Sequence, residues 1–132
     1  MQVVRRLWAT LSRSSTMTDK VVTYEELVSL LAAGSIRLFD VRSPEEVAKG
    51  KISTSAINIP VSELESALSL PVADFSLKYG VPKPEPSDSD VVFHCGVGVR
   101  SQRALDTATR LGYTRVRHFP GGYNEWKSKQ SK

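Results

Sequence analysis

Cysteine is nearly absent from this chain: Cys95 is the one thiol among 132 residues. A single thiol excludes an internal disulfide, a C-x-x-C redox pair and a cysteine-rich zinc site. Long apolar runs are also missing. No stretch approaches the ~20 residues that span a bilayer as a helix, so no membrane partner is expected. Acidic residues are missing from positions 1–18, which hold Arg5, Arg6 and Arg13. Lys and Arg total 18 against 14 Asp and Glu, so setting those three arginines aside leaves 15 basic against 14 acidic side chains in the body. That near balance, with no long basic run, gives no footprint for nucleic acid.

What is present fits one globular domain. Hydrophobic residues make up 40% and charged residues 24%, and a chain of this length can bury roughly two-thirds of its unfolded surface. The first 18 residues read differently. They contain six Ser/Thr, and on a helix Val4, Leu7, Trp8 and Leu11 share one face. An Arg-rich, Ser-rich, acid-free amphipathic stretch is the composition of a mitochondrial presequence. The expectation is therefore a leader over 1–18 and a folded domain over 19–130 in mitochondria. The alternative is a leader with no address on a cytoplasmic protein.

Beyond the leader, strand and helix signals alternate. Val21-Val22 is a short strand candidate. Thr23 and Glu26 form a capping box for a helix carrying Leu27, Leu30 and Leu31, which Gly34 ends. Ile36–Val41 reads as a buried strand. Ser43-Pro44-Glu45-Glu46 caps a short helix with proline at its first position, and Gly50 ends it. Ala56–Ile59 is a strand closed by Pro60, and Ser62 with Glu65 is expected to cap a helix running to about Leu70. Residues 72–79 supply one or two helical turns. Three of the seven prolines lie in 81–90, which reads as an exposed connection. Val91–His94 is an apolar strand, 101–111 a helix with Ala104, Leu105, Ala108 and Leu111 on one face, and Arg115–Phe119 a last strand. After the Pro120-Gly121-Gly122 turn, 123–128 is a terminal helix bearing Trp126. This alternation predicts a mainly parallel α/β sheet covered on both faces.

The chemistry concentrates in residues 91–101, VVFHCGVGVRS. An apolar strand stops at Cys95, glycines follow at 96 and 98, and a helix starts near Ser101. Ligands of open parallel sheets bind beyond the carboxyl ends of strands, at such junctions. Gly96 and Gly98 let successive N–H groups converge into an anion-binding nest, the helix N-terminus adds partial positive charge, and Arg100 adds a full one. A thiol there should have a lowered pKa and be substantially thiolate near neutral pH. The bland alternative, a buried cysteine beside an unrelated turn, does not explain why Cys, Gly, Gly and Arg meet at one strand-to-helix junction.

The loop CGVGVRS resembles the C-x-x-G-x-R-S active-site loop of the rhodanese family. LFDVRSPEEVAKGKISTSAINIP (38–60), VTYEELVSLL at the start and FPGGYNEWK (119–127) resemble further stretches of that family, in order, across residues 20–128. The overall form is similar to small single-domain members of animals. The resemblance implies a single rhodanese-like domain with a five-stranded, mainly parallel sheet and helices on both faces. It implies sulfur transfer, in which the Cys95 thiolate takes a sulfane sulfur from a donor such as thiosulfate and passes it on from a persulfide. Gly96, Val97, Gly98 and Val99 would bind mainly through backbone N–H groups, with Ser101 closing the loop. Arg100 would hold the sulfonate end of the donor and stabilise departing sulfite.

Asp40 and Arg42, in the D-V-R stretch, are expected to support the site rather than touch substrate. Lys51 stands where the family often has His, which departs from a proton-handling role there. His94 faces away from Cys95 along the strand and reads as a core residue or one that supports the site from behind; Tyr123 and Trp126 read as packing residues. No metal or other cofactor is expected. With no second thiol, sulfur must leave to an outside acceptor: glutathione, thioredoxin, cyanide or a partner protein. The expected state is a monomer. Two other readings stand beside this one. Relatives of this fold include phosphatases with C-x5-R loops, but the spacing here is C-x4-R, a narrower cradle. Relatives lacking the cysteine are binding modules, but Cys95 is present.

Overall fold

The computed structural model describes residues 20–131; the expected leader lies outside the described residues. The chain runs α1 (Tyr24–Ala33), β1 (Arg37–Asp40), α2 (Pro44–Ala48), β2 (Ile57–Asn58), α3 (Val61–Leu68), α4 (Val72–Tyr79), β3 (Val91–His94), α5 (Val99–Arg110), β4 (Arg117–Phe119) and α6 (Gly122–Gln130). The strands form one parallel sheet in the order β2-β1-β3-β4. Alternation along each strand divides the core in two. Phe39, Val91 and Phe93 pack on one face with Leu64, Phe75, Ala104 and Ala108 from α3, α4 and α5. Leu38 and Val92 pack on the other with Leu27 of α1 and Tyr123 and Trp126 of α6.

The sheet has four strands, not the expected five. The Val21-Val22 stretch contributes one parallel bridge, Val21 to His118, with Val22 N–H donating to the His118 carbonyl at 2.8 Å. It stops there because the Thr23–Glu26 capping box forms both of its bonds and turns the chain into α1 at once. The second capping box, Ser43 with Glu46, also forms. The expected Ser62 cap does not. Ile59 N–H donates to the Asp40 carbonyl and Val61 N–H to that of Val41, so α3 starts straight from the strand with Pro60 as its N-cap and Ser62 inside the first turn. Helix α5 starts at Val99, earlier than expected, because Gly98 takes φ 97° as its N-cap. The 81–90 connection is not wholly exposed: Pro84 is buried, its carbonyl accepting from Tyr113 Oη at 3.0 Å, and Asp88 and Asp90 grip Arg37 of β1.

Candidate active site

β3 delivers Cys95 to the carboxyl edge of the sheet, where the chain must turn into α5. The sulfur is buried and accepts N–H bonds from Gly98 at 3.1 Å and Ser101 at 3.3 Å. Burial alone would push the thiol up. The N–H of Ser101, its hydroxyl, and the N–H groups of Gly98 and Val97 outweigh burial, and the Cys95 pKa lies below its ordinary value.

A second glycine turn holds this loop open. Gly122, at φ 65°, lies so close under the loop that a Cβ there would sit 2.5 Å from the carbonyl oxygens of both Cys95 and Gly96. The first turn of α6 then donates to those same carbonyls, Tyr123 N–H to Cys95 at 2.7 Å and Asn124 N–H to Gly96 at 3.1 Å. Pointing these carbonyls at α6 leaves the N–H groups of the loop facing the sulfur. Gly98 meets the Pro120 carbonyl just as tightly, at 2.7 Å from an added Cβ. The P-G-G turn is thus part of the site through its backbone, a role its packing aromatics do not reveal. Trp126 does pack, against Tyr24 at 5.4 Å between ring centroids.

Asp40, Arg42 and His94 form a buried polar cluster behind the loop. Arg42 donates to Asp40 through Nε at 2.9 Å and Nη2 at 2.6 Å, with a third bond from Nη2 to the Gly50 carbonyl. Its guanidinium lies 4.4 Å from the Tyr123 ring centroid. His94 Nδ1 faces the Cys95 carbonyl at 3.1 Å, and Nε2 approaches Asp40 at 3.4 Å without making a hydrogen bond. Burial, partly offset by Asp40, lowers the His94 pKa, which favours the neutral ring. The cluster ties β1, β3 and α6 together.

Two residues near the loop have roles that local patterns did not reveal. Arg100 does not stand free: Glu46 accepts from its Nη1 at 2.6 Å and its Nη2 at 3.0 Å. Glu46 also closes the α2 capping box. The Arg100 bonds and the Ser43 N–H hold its carboxyl down to about pKa 2. The second is His118, buried on β4, whose Nδ1 lies 2.9 Å from Ser101 Oγ. Val97 in the loop and Val99 at the start of α5 are 65% and 62% exposed, two apolar side chains left in solvent beside Cys95. Lys51 is exposed and lines a groove with Tyr123, Trp126 and Lys127.

A cysteine sulfur held in an N–H nest at a parallel-sheet edge, on this layered fold, defines a class. The profile of the rhodanese-like domain family matches residues 23–129, and the chain belongs to that family. It is 51% identical over 110 residues to the human thiosulfate:glutathione sulfurtransferase, covering 83% of this chain and 95% of that protein. It is 35% identical over 117 residues to the mitochondrial thiosulfate sulfurtransferase RDL2 of Saccharomyces cerevisiae, covering 87% of this chain and 77% of that one. The solved structure of the human single-domain sulfurtransferase TSTD1 superposes with a TM-score of 0.79 at 49% identity, covering 83% of this chain and 96% of that one. Among the described residues no helix is long and apolar enough to cross a membrane.

Proposed function

We propose that this chain is a rhodanese-type sulfurtransferase that carries sulfane sulfur on Cys95 from a thiosulfate-like donor to a small thiol. The observation that supports this most is the Cys95 sulfur accepting two N–H bonds with its pKa lowered despite burial. In the first half-reaction the thiolate attacks the outer sulfur of thiosulfate, its S–S bond breaks, and sulfite leaves with the electron pair. In the second, an acceptor thiolate attacks the outer sulfur of the persulfide, and Cys95 leaves as thiolate into the same nest. Charge is conserved in each step and no external oxidant is needed. Gly96, Val97, Gly98 and Val99 supply the backbone lining, Ser101 an N–H and a hydroxyl, and Arg100 the contact to the sulfonate. All these groups come from one chain, so a monomer suffices.

Glutathione is the acceptor this reading favours, because the human relative carries that thiol in its name. The test is sulfite release from thiosulfate with glutathione, a dithiol protein such as thioredoxin, or cyanide as acceptor. Turnover with glutathione supports the reading, and none with any acceptor overturns it. Loop length bears on the choice of sulfur over phosphate. Inserting Gly between Gly98 and Val99 widens the ring of donors and should weaken sulfur transfer while strengthening phosphate binding. The acid-free leader and the mitochondrial name of the yeast relative support import into mitochondria. A reporter fused to residues 1–20 should localise there, and Arg5/Arg6→Glu should leave it diffuse.

A further inference from the structure

Arg100 is poorly placed to hold a dianionic donor alone. Its Nη1 and Nη2 both donate to Glu46, at 2.6 and 3.0 Å. Glu46 stays where it is whatever Arg100 does, because the Ser43 N–H and hydroxyl donate to the same carboxylate at 3.0 and 3.1 Å. A sulfonate arriving there meets a cation already paired and a carboxylate fixed beside it. Its three oxygens call for a second donor from another direction.

Gly96 marks where such a donor lies. Unlike Gly98 and Gly122, it has neither a left-handed φ nor a crowded backbone to account for it. Beyond its chain neighbours, a Cβ added there would meet only Arg100 Nη2 at 3.6 Å and Asn124 Oδ1 at 3.9 Å, both ordinary contact distances. Neither strain nor packing demands glycine. Its missing side chain leaves a slot one residue from Cys95, with Arg100 on one wall and Asn124 on the other. The Asn124 side chain is exposed, while its backbone N–H is committed to the Gly96 carbonyl at 3.1 Å. That bond, with the one from Tyr123 N–H to the Cys95 carbonyl, fixes the first turn of α6 against the loop. The Asn124 amide therefore keeps its place at the slot.

We propose that Asn124 is a substrate-binding residue, its side-chain amide donating to a sulfonate oxygen of the donor across the slot from Arg100. This rests on Cys95 taking sulfur from a thiosulfate-like donor. A half-turn about the last bond of the side chain exchanges Oδ1 for Nδ2, so the amide offers an N–H where Oδ1 now lies. When the Cys95 thiolate attacks the outer sulfur, the S–S bond of the donor breaks and sulfite departs with the electron pair. Charge then grows on the oxygens that Arg100 and Asn124 hold. A neutral amide binds them without adding a second fixed cation to a site that must release the product dianion.

Sulfite, which keeps those oxygens and has no sulfur to transfer, is the probe. Cys95 is the chain's one thiol, so its alkylation by iodoacetamide reads this site alone, and bound sulfite should slow it at constant ionic strength. Asn124→Leu should raise the half-protecting sulfite concentration about tenfold, the loss of one hydrogen bond to a charged oxygen. KM for thiosulfate should rise by a similar factor. Asn124→Asp should weaken protection further, because it puts a like charge at the same point. Asn124→Gln, which keeps the amide on a longer arm, should fall between the wild type and Asn124→Leu. Without sulfite, the pH midpoint of alkylation in Asn124→Leu should match the wild type, since the backbone bonds to the loop remain. A moved midpoint means that residue 124 acts through the shape of the loop, and it overturns the proposal. So does a folded Asn124→Leu protein that sulfite protects as well as the wild type, or a wild type that sulfite does not protect. Should Asn124→Leu fail to fold, Asn124→Asp decides: weakened protection supports the proposal, and wild-type protection overturns it. If protection follows Asn124 but no acceptor discharges a persulfide, the functional reading fails while Asn124 remains an anion-binding residue.

Discussion

The two ends of the same sheet each carry an arginine gripped by aspartate, and they solve different problems. At the carboxyl end, Arg42 and Asp40 are 4% and 1% exposed, with Nε and Nη2 bonded to Asp40 and the Gly50 carbonyl and the guanidinium lying over the Tyr123 ring. At the amino end, Arg37 is 20% exposed and pairs with Asp88 and Asp90 from the proline-rich connection. Removing one member of a buried pair strands a charge away from water, whereas a half-exposed pair is screened and replaceable by solvent. The buried pair therefore fixes the platform under the cysteine loop, and the outer pair merely ties down a connection. The stronger support thus lies at the end of the strands that carries the cysteine loop.

Arg42→Met should show that difference most strongly. It leaves Asp40 buried and unpaired, and a loss of about 3–5 kcal/mol is expected in denaturant unfolding. A loss below about 1 kcal/mol would mean that the platform does not depend on the pair. Gly122→Ala should come next, because it combines a left-handed residue with a Cβ pressed on two carbonyls of the loop. Its cost is about 1–3 kcal/mol of strain, but its sharper effect should be on Cys95, whose alkylation midpoint should rise as the loop is pushed out of shape. Asp90→Asn at the other end should cost only about 1 kcal/mol or less and leave sulfur transfer unchanged.

Glu46→Gln should have the smallest effect on stability, and it depends on pH. The carboxyl is depressed from 4.5 to about 2 in the folded protein, so its contribution is present above about pH 4.5 and is lost as pH falls toward about 2. The variant and the wild type should therefore differ near neutrality and converge in acid, which acid-unfolding curves at several pH values can check. The same change releases Arg100 from a neutralising partner, so KM for thiosulfate should fall.

Much of this was legible in the sequence where the pattern is local. The capping boxes at Thr23–Glu26 and Ser43–Glu46, the Cys95 loop and the P-G-G turn each depend on neighbours within a few residues, and each forms. The alternation argument turned His94 away from Cys95, and the β1–β3 pairing, which the sequence does not give, sets it beside Asp40. Ser62 and Glu65 had the right cap spacing but were overruled by the strand bonds of Ile59 and Val61, a tertiary decision. Glu46 meeting Arg100, His118 meeting Ser101 and Gly122 meeting the Cys95 carbonyl all join segments that only the strand order brings together. Local spacing holds no record of those meetings. It pointed to Cys95 as the candidate and left open which distant residues surround it.

The central claim is that the lone thiol carries the transferred sulfur. Intact-protein mass spectrometry after a brief exposure to thiosulfate tests it most directly. The wild-type chain should gain the mass of one sulfur atom, localised to the peptide containing Cys95, and lose it again on adding glutathione. Cys95→Ser should fold with wild-type stability and gain nothing. Sulfur turnover retained by Cys95→Ser, or a wild-type protein that releases sulfite without ever carrying the extra sulfur, would contradict the account.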